Sequence, residues 1–168
     1  MITIDVYALA RREAQWHGKI ALAAMPRLGA SLLRTEGSIA YRCRAGRDAR
    51  GRPALHLELH GNLILRCDRC GGECDLAIGA SRQFFFVPTE AELAAQPIDE
   101  TPEEALLGSA HFDLAALIED EAILQLPISP RHEQCELLGR LTQTEVPGEP
   151  VHPFAALAVL RERLRGAK

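Results

Sequence analysis

Leu55, Leu57, Leu59, Leu63 and Leu65 fall on alternate positions, and His56, Glu58, His60 and Asn62 lie between them. A period of two is that of a strand with one buried face. The alternation resumes at Leu76, Ile78, Ala80, Phe84 and Phe86 and is broken by Arg82. Two strands therefore flank the loop Cys67-x-x-Cys70-Gly-Gly-Glu-Cys74, which makes it a hairpin with thiols at its tip. Upstream, Ile39, Tyr41 and Cys43 share one parity, which predicts a strand over 37–44 and a core role for the Cys43 thiol. A further strand is expected over 18–22 and a short one over 2–6, whereas 7–15 is compatible with helix or loop. Ala45 to Pro53, rich in glycine and arginine, reads as the connection between the Cys43 and Leu55 strands.

A period near 3.6 takes over later. Pro26 suits the first turn of a short helix. Leu114, Leu117, Ile118, Ala122 and Gln125 form one stripe behind Asp113 as N-cap, and Pro127 stops the run. Phe154, Leu157, Ala158 and Leu164 mark a second helix over 153–165, with 138–151 turn-like before it. The expected fold class is α+β: an antiparallel twisted sheet or partial barrel, with strands near 18–22, 37–44, 54–66 and 74–87. The 113–126 and 153–165 helices would pack on it.

Length and composition suit one globular domain over 1–168, since 168 residues at 47% hydrophobic can close a core. Residues 88–129 contain ten Asp and Glu and no Lys or Arg, so the stretch 89–110 reads as a loose acidic excursion. Glu119, Asp120 and Glu121 read as a solvated helix face, because consecutive helical residues diverge too far to act as an acid–base pair. Asp5 stands where a secretory leader would be apolar, and no run reaches the 18 or so apolar residues of a membrane span, so a soluble cytoplasmic protein is expected.

The net charge of −4 divides unevenly: residues 1–86 hold 13 basic against 8 acidic side chains, and residues 87–168 hold 6 against 15. Arg42, Arg44, Arg47, Arg50 and Arg52 form a basic stripe that is a candidate RNA-binding surface, against the alternative of ordinary solvated charge. Arg66 and Arg69, a strand length away, cannot join it in one compact patch.

Five cysteines, three of them within eight residues, fit free thiols or metal ligands better than a disulfide framework. Cys67-x-x-Cys70 lets one turn aim two sulfurs at one ion, and His132-x-x-Cys135 supplies a second pair. Together they predict a structural zinc site, with Cys74 able to replace a member of the second pair. The competing reading is a thiol–disulfide oxidoreductase using Cys67 and Cys70. It lacks the helix N-terminus or βαβ setting that such chemistry favours. No P-loop, Gly-x-Gly-x-x-Gly or His-Glu-x-x-His pattern occurs, so most of the usual enzyme signatures are missing.

Three stretches in order carry a resemblance: Gly61-Asn-Leu-Ile-Leu-Arg-Cys-Asp-Arg-Cys70, the segment from Asp113 through Leu126-Pro-Ile-Ser-Pro-Arg-His132 to Cys135, and Pro153-Phe-Ala-Ala-Leu-Ala-Val-Leu160. Together they resemble the YceD family, the large ribosomal RNA subunit accumulation proteins, over roughly residues 55–164. The resemblance implies a bacterial cytosolic protein, with plastid relatives, that serves synthesis, processing or stability of large-subunit (23S) ribosomal RNA, either directly or through a protein partner. It implies no catalytic residues. The chain departs from the pattern in the short spacing between His132 and Cys135, in His152 before Pro153 where asparagine is usual, and in Cys74.

Overall fold

Alternating apolar residues build most of the molecule. The computed structural model describes residues 2–97 and 103–135. In chain order these form β1 (Thr3–Ile4), α1 (Val6–Arg11), β2 (Gln15–Ala21), a 3-10 turn (Leu22–Ala24) and α2 (Pro26–Gly29). There follow β3 (Ser38–Arg47), β4 (Pro53–Arg66), β5 (Glu73–Val87), α3 (Glu90–Ala94), β6 (Glu103–Leu107), β7 (Phe112–Asp113) and α4 (Leu114–Ile123). The main sheet has five strands in the order β2-β3-β4-β5-β6, and β1 pairs with β7 in a separate ribbon.

The four expected strands are present and antiparallel, but the sheet is mixed and open rather than wholly antiparallel or barrel-like. The difference is β6, which runs parallel to β5 from Gln83↔Glu103 to Val87↔Leu107. Glu103 and Glu104 give this segment the look of a solvated linker. Here they answer arginines: Glu104 lies 3.7 Å from Arg82 and Glu103 lies 3.4 Å from Arg52. The 153–165 helix and the 138–151 stretch lie outside the described residues.

One face of the sheet holds the core. Leu55, Leu57, Leu59 and Leu63 of β4, Ile39 and Cys43 of β3, and Phe84 and Phe86 of β5 are buried there together with Val6, Leu28, Leu114, Ile118 and Ala122 of the helices. Burial pushes the Cys43 thiol up to about 12, so it stays protonated and acts as a small apolar side chain. Gly18 faces Tyr41 across the β2–β3 pair, and a Cβ there would stand 2.6 Å from the Tyr41 hydroxyl. The ring fills the space that glycine leaves.

The reading of Glu119 and Glu121 as solvated is corrected: both are buried. Glu119 accepts the backbone N–H groups of Arg27 (2.7 Å) and Leu28 (3.0 Å) and the Arg27 Nε–H (3.0 Å). The two backbone groups are donors of the first turn of α2, which has no capping side chain of its own. Asp120 alone of the three is exposed, and its Oδ1 accepts from Arg27 Nη1 at 2.5 Å. The acidic run is thus two inward groups and one outward group, since 100° steps cannot leave three consecutive side chains on one face.

Candidate metal centre

The β4–β5 register ends at Arg66↔Glu73, which leaves Cys67 to Gly72 as the turn. The Cys67 N–H donates to the Gly72 carbonyl and the Gly71 N–H to the Cys67 carbonyl, both at 2.8 Å. Gly71 sits at φ 74°, in the left-handed region that glycine enters without penalty. This closure directs the N–H groups of Cys70 and Arg69 at the Cys67 sulfur, and the Gly72 N–H at the Cys70 sulfur, 3.4 Å away.

The second pair arrives from beyond α4. Pro127 and Pro130 keep the chain out of helical geometry after Leu126. The segment then docks on the hairpin tip: the Asp68 N–H donates to the Pro130 carbonyl at 2.9 Å, and the Ser129 hydroxyl donates to Asp68 Oδ2 at 2.8 Å. His132 and Cys135 are thereby carried to the cysteine turn. One ligand atom each from Cys67, Cys70, His132 and Cys135 lies within 4.8 Å of all the others. Cys67 Sγ is 3.6 Å from Cys135 Sγ, and Cys70 Sγ is 3.5 Å from His132 Nδ1.

These separations match a tetrahedral cage. Metal–sulfur bonds of about 2.3 Å and metal–nitrogen bonds of about 2.0 Å imply edges of about 3.8 Å between sulfurs and about 3.5 Å between sulfur and nitrogen. The histidine is already oriented for ligation. Its Nε2–H donates to the Glu73 carbonyl, which leaves the Nδ1 lone pair facing the sulfurs.

The electrostatics favour a cation. Burial works against ionising Cys67, but the N–H groups of Cys70, His132 and Arg69 outweigh it and hold that thiol below its ordinary value. Cys135 is pushed up, first by burial and then by the sulfurs of Cys70 and Cys67 beside it. Three sulfurs this close cannot all be thiolates unless positive charge sits among them. The donor set therefore suits a borderline-soft dication such as zinc.

Cys74 stands apart from this group. It is buried on β5 opposite Leu65, and its thiol is pushed up by burial and then by the charge of Cys67.

A family model for the large ribosomal RNA subunit accumulation protein YceD matches residues 55–161, well over half of the chain. The chain belongs to the YceD family. The three motifs that carried the resemblance fall within or at the edge of the match, and all four clustered side chains lie inside the YceD region. The YceD match leaves out β1 to β3, and no solved structure matches the chain.

The candidate RNA-binding arginines lie toward the opposite end of β4, a 14-residue strand that spans roughly 45 Å. Arg42 and Arg44 extend from β3, where Arg44 meets Glu58 at 2.6 Å and Arg42 stands 3.9 Å from it. At the end of β3, Arg47 donates to the Gly51 carbonyl at 2.7 Å, and Arg50 in the turn beyond is exposed. Arg52 is tied down: it pairs with the buried Asp48 carboxylate at 2.5 Å and lies 3.4 Å over the Phe85 ring. No described helix is long and apolar enough to cross a membrane.

Proposed function

We propose that this chain is a non-enzymatic factor for the synthesis, processing or stability of large-subunit ribosomal RNA, acting on that RNA or its precursor directly or through a protein partner. The observation that carries this reading is the family match over 55–161, whose description names an RNA accumulation protein and no enzyme. Arg42, Arg44, Arg47, Arg50 and Arg52 are proposed to face the RNA. Cys67, Cys70, His132 and Cys135 are proposed to hold a structural zinc ion. The ion would neutralise the thiolates and tie the segment after α4 to the β4–β5 hairpin, with all four coordination positions supplied by protein.

The test compares large-subunit with small-subunit ribosomal RNA in cells depleted of the protein and measures the metal content of the purified chain. A selective fall in large-subunit RNA is expected, with close to one equivalent of zinc. Unchanged RNA ratios overturn the functional reading. Less than about a tenth of an equivalent after reducing, chelator-free purification overturns the metal.

The lowered Cys67 thiol favours a second reading, disulfide exchange at Cys67 and Cys70. Against it, the Cys67 residue is 1% exposed, and two further ligands converge on the same sulfurs. Turnover of a disulfide substrate that Cys70→Ser abolishes would establish it.

A further inference from the structure

Among the described residues, α1, α2 and α4 all contribute to the core on one side of the sheet, and no element covers the other side at β2, β3 and β4. The register sets Lys19, Ala40 and His60 in one row on that side, and His17, Arg42 and Glu58 in the next. Ala40 is short and the side chains around it are long. They border an open depression of about 340 Å³ whose rim is His17, Lys19, Arg42, Glu58 and His60.

The acid does not cancel this charge. Glu58 is engaged by Arg44 at 2.6 Å, whereas Arg42 stands 3.9 Å from it with 66% of its side chain exposed. Lys19 has no carboxylate partner among the described residues. Residues two apart on a strand are separated by roughly 6.8 Å and neighbouring strands by about 4.8 Å, so Lys19 and Arg42, on neighbouring strands and in neighbouring rows, stand roughly 8 Å apart, wider than one phosphate. His60 adds a flat surface: its Nδ1 would lie 3.3 Å from a Cβ at Gly79, so the ring rests across a position that has no side chain. An exposed ring beside two separated cations is the pairing that holds single-stranded nucleic acid, one by stacking on a base and the others by neutralising phosphates.

We infer that the uncovered face of β2, β3 and β4, centred on Lys19, Arg42 and His60, binds the backbone and bases of single-stranded RNA. This rests on the direct-contact form of the function proposed above. It shifts the contact from the arginine turn to the sheet face, where sequence spacing alone does not bring Lys19 and His60 together.

The test uses the full chain with a labelled single-stranded oligoribonucleotide of about 16 nucleotides, and the same sequence as a duplex, over a range of salt. Lys19→Gln/Arg42→Gln is compared with Arg11→Gln/Arg12→Gln, which removes the same charge from exposed positions at the end of α1. Melting curves exclude unfolding of either variant. The sheet variant is expected to bind more weakly, with a salt slope smaller by about 1.4, and the α1 variant to bind as the unmodified chain does. His60→Ala should weaken single-strand binding more than duplex binding, through loss of stacking. Equal loss in both double variants, or none in the sheet variant, overturns this surface and leaves RNA contact standing. Displacement of the RNA by poly-glutamate at equal charge would also overturn it, since an acidic peptide would then fit as well. If the unmodified chain binds neither RNA, direct contact fails together with this site, while a role through a partner protein survives.

Discussion

Arg82 Nε stands 3.3 Å from Glu121 Oε2, and the pair joins β5 to α4 across the core side of the sheet. The contact explains why an arginine interrupts the apolar parity of β5: the side chain reaches inward to a carboxylate that α4 has buried. Burial raises the Glu121 carboxyl, and Arg82 only partly offsets it. The folded state then holds this proton more tightly than the unfolded chain, so stability falls as pH rises above the ordinary carboxyl value of about 4.3. Glu121→Gln is expected to flatten that fall, and Arg82→Gln to cost on the order of 1–2 kcal/mol at pH 7 and less at pH 4. Urea titrations at several pH values measure both.

Glu119 has the opposite sign. Burial raises its carboxyl, but the N–H of Leu28 and the donors of Arg27 outweigh this and hold it below its ordinary value. Its stabilisation is present above the unfolded carboxyl value and is lost as pH falls through the lower, folded one. Glu119→Ala leaves two N–H groups of α2 without their acceptor, with an expected loss of about 2–4 kcal/mol. A midpoint shift of less than 1 kcal/mol in chemical unfolding would show that water replaces the carboxylate without penalty.

Chelation should act locally. The sheet has its own apolar core, so metal removal is expected to lower the melting temperature without unfolding the chain, unlike a small zinc finger. Amide exchange read by mass spectrometry should accelerate at the Cys67 to Gly72 turn and at residues 129–135 and stay slow in β3. Cys135→Ser should reproduce that pattern with no chelator present.

Arg52 is expected to be a stability residue. It satisfies a buried carboxylate and covers Phe85, so Arg52→Gln should cost about 2 kcal/mol in thermal or chemical unfolding. Arg50→Gln changes an exposed side chain and keeps the backbone N–H that donates to Asp48 at 2.9 Å, so it should cost less than about 0.5 kcal/mol. RNA-binding losses at the two positions are comparable only after this difference is removed.

Gly18→Ala should destabilise by about 1–3 kcal/mol through the contact with Tyr41, and Tyr41→Leu in the same chain should recover part of it. Additive losses in the double variant would place the strain elsewhere.

The parts of the fold that could be read in advance are those in which one residue type repeats with one period. The leucines of β4, the Ile39–Tyr41–Cys43 alternation and the Asp113 cap each mark an element, and the two cysteine-containing pairs mark the cluster of three cysteines and one histidine before any distance is known. Strand β6 was hidden because Glu103 and Glu104 look solvated until Arg52 and Arg82 are placed beside them. Glu119 was hidden for a related reason, since its partners are mainly backbone N–H groups 91 and 92 residues away, which leave no mark on a local pattern. For Glu121 a signal was available in Arg82: a cation on an apolar parity asks for a buried anion.

The two halves of the Cys67, Cys70, His132 and Cys135 cluster are also separated in time. His132 follows Cys70 by 62 residues, and Cys135 follows Cys67 by 68. At synthesis rates of about 5–20 residues per second, the hairpin thiols leave the ribosome roughly 3 to 13 s before their partners. For that interval the nascent chain presents a two-sulfur half-site, open to whichever soft metal or oxidant reaches it first, so the order of translation exposes the pair to capture before the cage can close.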